Sequence, residues 1–173
     1  MWETLAKFYM ISKEIQAILN KQIQAEFMSS HNYLAMASWA DQQGWKGVAT
    51  FFYEQSEEER THALKIVHFI NDRDGQAEIP QVLEPIASFK NIHELFEIFR
   101  QRERDVTASI NTVVDLCRMQ KDYVSDQFMQ WYLTEQLEEE ILARDLLDEL
   151  KIIGDDKGGL YSFDEKLKKK RGA

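Results

Sequence analysis

Glu59 and His62 stand three residues apart in the stripe Phe52, Gln55, Glu59, His62, Ile66, Phe69, whose steps of three and four mark one buried face of a helix. A carboxylate and an imidazole on such a face can hold a metal, exchange a proton or simply fill a core, and their neighbours decide among these. Glu26 occupies the equivalent place in Ile15, Leu19, Ile23, Glu26, Ser30, Tyr33, Ala37, and Glu103 does so in Phe96, Phe99, Glu103, Val106, Ile110, Val113, Cys117. A fourth stripe, Tyr132, Gln136, Glu139, Ala143, Leu146, Leu150, repeats the arrangement. Taking an ionised carboxylate out of water costs several kcal/mol unless it is paired or binds a metal. No lysine or arginine lies on the four stripes. The missing cation must come from outside the sequence.

Positioning these acids requires long helices. The chain has 173 residues with only 2 prolines and 7 glycines, enough for one all-helical domain with a real core. Ser12 caps a first helix running to about Asp41, and Gly44 to Gly47 supply a turn into a second that ends near Asp74 and Gly75. A connection from Gly75 to Lys90 holds both prolines, Pro80 and Pro85. Asn91 with Glu94 forms a capping box for a third helix, which turns near Gln120 to Asp122 into a fourth that stops before Gly154. Ser162 with Glu165 predicts a short fifth helix over Phe163 to Lys170. Helices of ~28 residues are ~42 Å long, and a connection of ~16 residues can span ~53 Å. Helices two and three are therefore free to run parallel, joined by a crossover along the whole bundle.

Turn positions set the depth of each acid. Gly44 is the midpoint between Glu26 and His62, and Lys121 is the midpoint between Glu103 and Glu139. Residues equidistant from a hairpin turn come level across it, so each pair meets ~27 Å below its own turn, near mid-bundle. Glu26, Glu59 with His62, Glu103, and Gln136 with Glu139 thus converge. Four carboxylates are neutralised by two divalent cations. A mostly oxygen ligand set with one imidazole suits iron or manganese and poorly matches structural zinc. A buried pair of redox-active metals is equipped to handle dioxygen.

Carboxylate bundles that hold two irons present a Glu from each of two helices and Glu-x-x-His from each of the others. Here one half matches, as Glu59-Arg-Thr-His62, while the other reads Gln136-Leu-Glu-Glu139. With Gln24-Ala-Glu26-Phe-Met-Ser-Ser-His-Asn-Tyr33, Glu57-Glu-Glu-Arg-Thr-His62, Trp131-Tyr-Leu-Thr-Glu-Gln136-Leu-Glu-Glu-Glu140 and Gly158-Gly-Leu-Tyr161, the chain from about Ile11 to Tyr161 resembles the bacterial non-haem ferritins. The resemblance implies a ferritin-like four-helix bundle with a long crossover between helices two and three and a short C-terminal fifth helix. It implies iron storage in a 24-subunit shell, with Fe(II) oxidised by dioxygen or peroxide. By position, Glu26, Glu59 and His62 match a first iron site. Glu59 bridges to a second with Glu103 and Glu139, and Gln136 lies beside that one. Glu58, Glu135 and Glu138, with Glu139 shared, match a third iron site on the cavity side. Tyr33 matches a tyrosine thought to supply an electron, while Trp131, one to two turns from Gln136, reads as packing. Arg60 stands where bacterioferritins carry a haem-ligating methionine, so no haem is expected. Asp126 matches an acid lining a three-fold channel, with Met129 where many relatives have a second acid.

Other classes recede on composition. Thirty acids against 21 bases give a formal charge of -9, which disfavours nucleic acid and suits a cationic partner. The single cysteine, Cys117, excludes an internal disulfide. No apolar run approaches the ~18 residues of a membrane span, and no signal-peptide core opens the chain, so the expected compartment is the cytoplasm. Residues 1–10 read as an N-terminal extension of unknown role ahead of a ferritin-like domain over 11–173, and the basic run Lys166 to Arg171 reads as a solvated tail. Three alternatives stay open: a rubrerythrin-like peroxidase, a mini-ferritin, and a non-catalytic helical scaffold.

Overall fold

The computed structural model describes residues 10–169, which form five helices and no strand. They are α1 (Lys13–Gln42), α2 (Lys46–Asp72), α3 (Ile92–Gln120), α4 (Tyr123–Ile153) and α5 (Lys157–Lys169). Their boundaries follow local chemistry. Ser12 Oγ accepts the Ile15 N–H at 3.2 Å and Asn91 Oδ1 accepts the Glu94 N–H at 2.9 Å, the caps expected from sequence. Gly44 takes φ +88° in the first turn, a conformation that only glycine adopts without strain. Lys121, at φ 56°, closes α3 in the left-handed conformation. Asp122 then opens α4 by accepting the Ser125 N–H at 3.1 Å. Among the described residues, no helix is long and apolar enough to cross a membrane.

Side-chain contacts fix the helix directions. Ser30 Oγ donates to the Ser56 carbonyl at 2.7 Å and Ser56 Oγ to the Ser30 carbonyl at 2.8 Å, tying α1 to α2 as an antiparallel hairpin. Tyr33 meets Glu103, whereas Gln22 meets Ser109, so α3 descends as α1 rises. Helices α2 and α3 therefore run parallel. The segment between them, residues 73–91, travels the length of the bundle, as its reach allowed.

The stripes face inward as their period requires. All seven stripe residues of α1, all seven of α3 and all six of α4 are buried. On α2 the stripe is buried through Ile66, while Phe69 is half-buried and stacks on Phe128 of α4 at 3.8 Å. Two apolar clusters fill the ends of the bundle. One gathers Phe52, Phe96, Phe99 and Leu146, the other Ile15, Leu19, Ile66, Ile110 and Val113. The acids lie in the layer between them.

One expectation needs correction. Helix α5 begins at Lys157, not Phe163, because Asp156 Oδ2 accepts the Gly159 N–H at 2.6 Å and starts the helix a turn and a half earlier. A Cβ on Gly159 would lie 2.8 Å from Ile153 Cγ2. The glycine marks a tight corner. Met129 is fully buried in the cluster with Ile15 and Leu19, while Asp126 accepts from Gln130 at 2.9 Å and pairs with Arg118 at 3.3 Å. Lys166 and Lys168 are exposed on α5, where Lys166 pairs with Glu149 at 2.6 Å and Lys168 with Glu165. Lys170 and Arg171, and nearly all of the N-terminal extension, lie outside the described residues.

Helix α5 docks on α2. The N-cap of α2, Trp45, makes no side-chain cap, and Asp164 Oδ1 instead accepts the Val48 N–H at 2.9 Å. A Cβ on Gly47 would sit 1.7 Å from the Asp164 carbonyl oxygen, so only glycine admits this approach.

Candidate metal centre

Helices α1 and α2 bring Glu26, Glu59 and His62 together. One oxygen from each acid and one ring nitrogen all lie within 4.8 Å of one another, with all three residues buried. That spacing fits ligands around a single cation. Glu26 Oε1 accepts from Gln22 Nε2 at 2.9 Å, whereas its Oε2 is buried without a partner. Glu59 Oε2 likewise has no hydrogen-bond partner, although His62 Nδ1 is 3.4 Å away. The Tyr132 hydroxyl donates to the His62 carbonyl at 2.8 Å, and the Trp131 ring meets the imidazole edge-on at 5.2 Å. Lys65 Nζ lies 3.2 Å above the Trp131 ring, so Trp131 packs between a cation and a candidate ligand.

The other two helices complete the layer. Glu103 is fully buried and both its oxygens are engaged: Oε1 accepts from the Tyr33 hydroxyl, and Oε2 accepts from Gln136 Nε2 at 2.7 Å. The same amide donates to the Glu103 carbonyl at 3.0 Å. Glu139 Oε2 is buried without a partner. Glu26, Glu59 and Glu139 thus each keep one oxygen free. Buried polar atoms normally have a protein partner, and none of these three oxygens has one.

Burial shapes the charge of the centre. Desolvation, then the Glu59 carboxylate, pushes Glu26 well above the usual carboxylate range, and desolvation with Glu103 does the same to Glu59. Glu103 is raised to about 7 and Glu139 to about 8, in both cases chiefly by burial. Burial and the Glu103 carboxylate raise the Tyr33 hydroxyl as well. Without a cation the layer therefore holds protons at neutral pH, and a metal that displaces them is bound with proton release. Oxygen-rich, anionic and partly unsatisfied, the donor set fits a hard or borderline divalent cation such as Fe(II).

A second group shares His62. Glu58, His62 and Glu135 also offer ligand atoms within 4.8 Å of one another. The expected third-site residues divide: Glu58 and Glu135 join His62, while Glu138 instead lines a cavity of about 350 Å³ with Glu54, Gln55, Glu58 and Glu139. Gln55 Nε2 donates to Glu58 Oε2 at 3.1 Å. A groove of about 670 Å³ between α1 and the crossover, lined by His31, Trp39 and Pro85, lies apart from all these acids. His31, His68 and His93 stay off the layer, exposed or half-buried.

Sequence reasoning missed Gln22 and Gln55 as site residues. Gln22 stands four residues before Glu26, the spacing at which side chains meet on a helix, and Gln55 stands three before Glu58. That spacing was the available signal.

Known proteins share this fold. The ferritin-like domain family matches residues 16–153. The chain is 38% identical over 159 residues to the bacterial non-heme ferritin of Campylobacter jejuni, a match covering 92% of this chain and 95% of that one. The bacterial non-heme ferritin of Staphylococcus epidermidis is 40% identical over 158 residues, with 91% and 95% covered. Among solved structures, the open pore ferritin of the archaeon Archaeoglobus fulgidus superposes with a TM-score of 0.89 at 37% identity, covering 91% of this chain and 97% of that one. By family match, identity and fold alike, this chain belongs to the ferritin family.

Proposed function

We propose that this protein stores iron, oxidising Fe(II) with dioxygen at the layer formed by Glu26, Glu59, His62, Glu103, Gln136 and Glu139. The observation that carries this reading is the set of three buried carboxylate oxygens, on Glu26, Glu59 and Glu139, with no partner. Glu26, Glu59 and His62 hold one Fe(II). Glu59, Glu103 and Glu139 hold the second, with Gln136 keeping Glu103 oriented. Two Fe(II) each give up one electron, and dioxygen takes both electrons with two protons to leave as hydrogen peroxide. The carboxylates match the rising charge of the metal, an electrostatic fit held ready before reaction.

Tyr33 donates its hydroxyl to Glu103 and is placed to pass an electron or proton at that oxygen. The Glu58, His62 and Glu135 group, with Glu138 on the neighbouring cavity, offers a stop for Fe(III) leaving toward stored mineral. Arg60 is exposed and paired with Glu57 at 3.2 Å, so no haem is assigned. Exposed Leu34, Ile79, Leu83, Ile86 and Ile152 suit burial against other copies in a 24-subunit shell, and the proposed compartment is the cytoplasm.

Stopped-flow absorbance after mixing metal-free protein with Fe(II) in air tests the chemistry. A ferric signal that is lost on Glu59→Ala is expected. Its absence in the unaltered protein, or its persistence in the variant, would refute the assignment. Size-exclusion chromatography tests the shell, which a monomer or dimer would contradict.

A further inference from the structure

We infer that Gln22 and Ser109 form a positioning pair that sets how Glu26 meets a cation, one oxygen held and the other offered. The inference rests on the proposed reading of the layer as a metal site. Gln22 lies at 0% exposure on α1, among Leu19 and Ile23. An amide in such a place costs several kcal/mol unless both its ends are bonded. Both are: Nε2 donates to Glu26 Oε1 at 2.9 Å, and Oε1 accepts the Ser109 hydroxyl from α3.

The chemistry of the partners fixes the direction of the amide. A metal-bound carboxylate only accepts, so the NH2 end must face Glu26 and the carbonyl end must face a donor. Ser109 is that donor. Its hydroxyl keeps the amide from turning over, which would set oxygen against oxygen.

With Oε1 occupied, Oε2 is the Glu26 oxygen that remains, buried and without a partner, in the group with Glu59 and His62. Glu26 is thereby preset with its unpartnered oxygen turned toward the cation. Glu103 is held at both oxygens, by Tyr33 and Gln136, and each of these oxygens keeps a second lone pair for a cation. Removing the amide frees the carboxylate to turn about its last bond, so a metal must then order it on binding. Partners that orient a ligand are typically worth 10- to 100-fold in metal affinity.

Co(II) titration tests the pair, since this ion is not oxidised by air under these conditions and its visible bands report ligand number and geometry. The unaltered protein should bind Co(II) in a way abolished by Glu59→Ala. Gln22→Met should weaken the first binding step about tenfold or more and change the visible bands. Ser109→Ala should shift both in the same direction by less, and Ser109→Thr, which keeps the hydroxyl, should restore them. If Gln22→Met does not fold, the two Ser109 variants decide alone. Glu59-dependent binding that is indifferent to Gln22→Met and Ser109→Ala overturns the inference and leaves the metal site standing. No Glu59-dependent binding in the unaltered protein overturns both. An effect of Gln22→Met without one of Ser109→Ala removes Ser109 from the pair.

Discussion

In metal-free protein, Glu139→Gln should raise stability at neutral pH, and by an amount that grows with pH. Burial, then the Glu103 and Glu58 carboxylates, lifts Glu139 to about 8, against 4.5 for an ordinary glutamate. The folded protein therefore keeps a proton that the unfolded chain releases. A raised folded value leaves stability intact below about 4.5 and removes it as pH climbs toward about 8. At pH 7 the loss has built up over about 2.5 units at about 1.4 kcal/mol each, on the order of 3 kcal/mol. At pH 5 it is still below about 1 kcal/mol. Glutamine does not ionise and escapes this loss. For a domain of this size, 3 kcal/mol corresponds to roughly 6–12 °C in melting temperature. Thermal melts of chelator-treated protein and variant, at pH 5, 6, 7 and 8 and constant ionic strength, should lie close at pH 5 and separate above it. Adding Mn(II) at pH 7 should reverse the order, because the unaltered site gains binding energy that the variant lacks. Two melting profiles that stay parallel from pH 5 to 8 would refute the reasoning, since Glu139 would then hold no extra proton.

Two further outcomes test the frame around the site. Gly47→Ala places a Cβ 1.7 Å from the Asp164 carbonyl oxygen, so α5 must move. A loss of about 1–3 kcal/mol or more should appear in urea unfolding, with faster amide exchange at Val48 and along α5. Arg73→Met removes the paired bonds to Asp122 at 3.2 and 3.1 Å and the bond to Ser125 Oγ at 3.2 Å. Leaving Asp122 without its buried cation should cost about 3–5 kcal/mol in the same assay.

Much of this architecture was readable from periodicity alone. The four stripes gave α1 to α4 because long amphipathic helices repeat one signal many times, and the turn midpoints gave the common depth of the acids. Ser12 and Asn91 were readable as caps because their partners lie three residues away. Asp164 was not, because it caps Val48 from 116 positions off, and no local pattern carries such a contact. Gln22 was passed over for a related reason: between Leu19 and Ile23 a lone glutamine resembles the edge of a face. Only the Ser109 hydroxyl, on another helix, makes its burial tolerable. The start of α5 was missed because Ser162 with Glu165 suggested a cap further on, whereas Asp156 accepts from Gly159 and Gly159 packs against Ile153. Arg73, buried at 6% exposure, sits just beyond the last helical residue of α2, where periodicity stops informing.

The distant cap on α2 has a consequence for the order of folding. Contacts within each hairpin join near neighbours and form early, whereas the Val48–Asp164 bond must close a loop of 116 positions. Loop length adds little to the final stability, about 0.6 kcal/mol per doubling, but it places this closure late in the sequence of events. A chain that closes its shorter loops first forms each hairpin while the first turn of α2 is still uncapped. Amide protection at Val48 marks the end of that stage, the moment at which the helix carrying Glu59 and His62 becomes anchored at both ends.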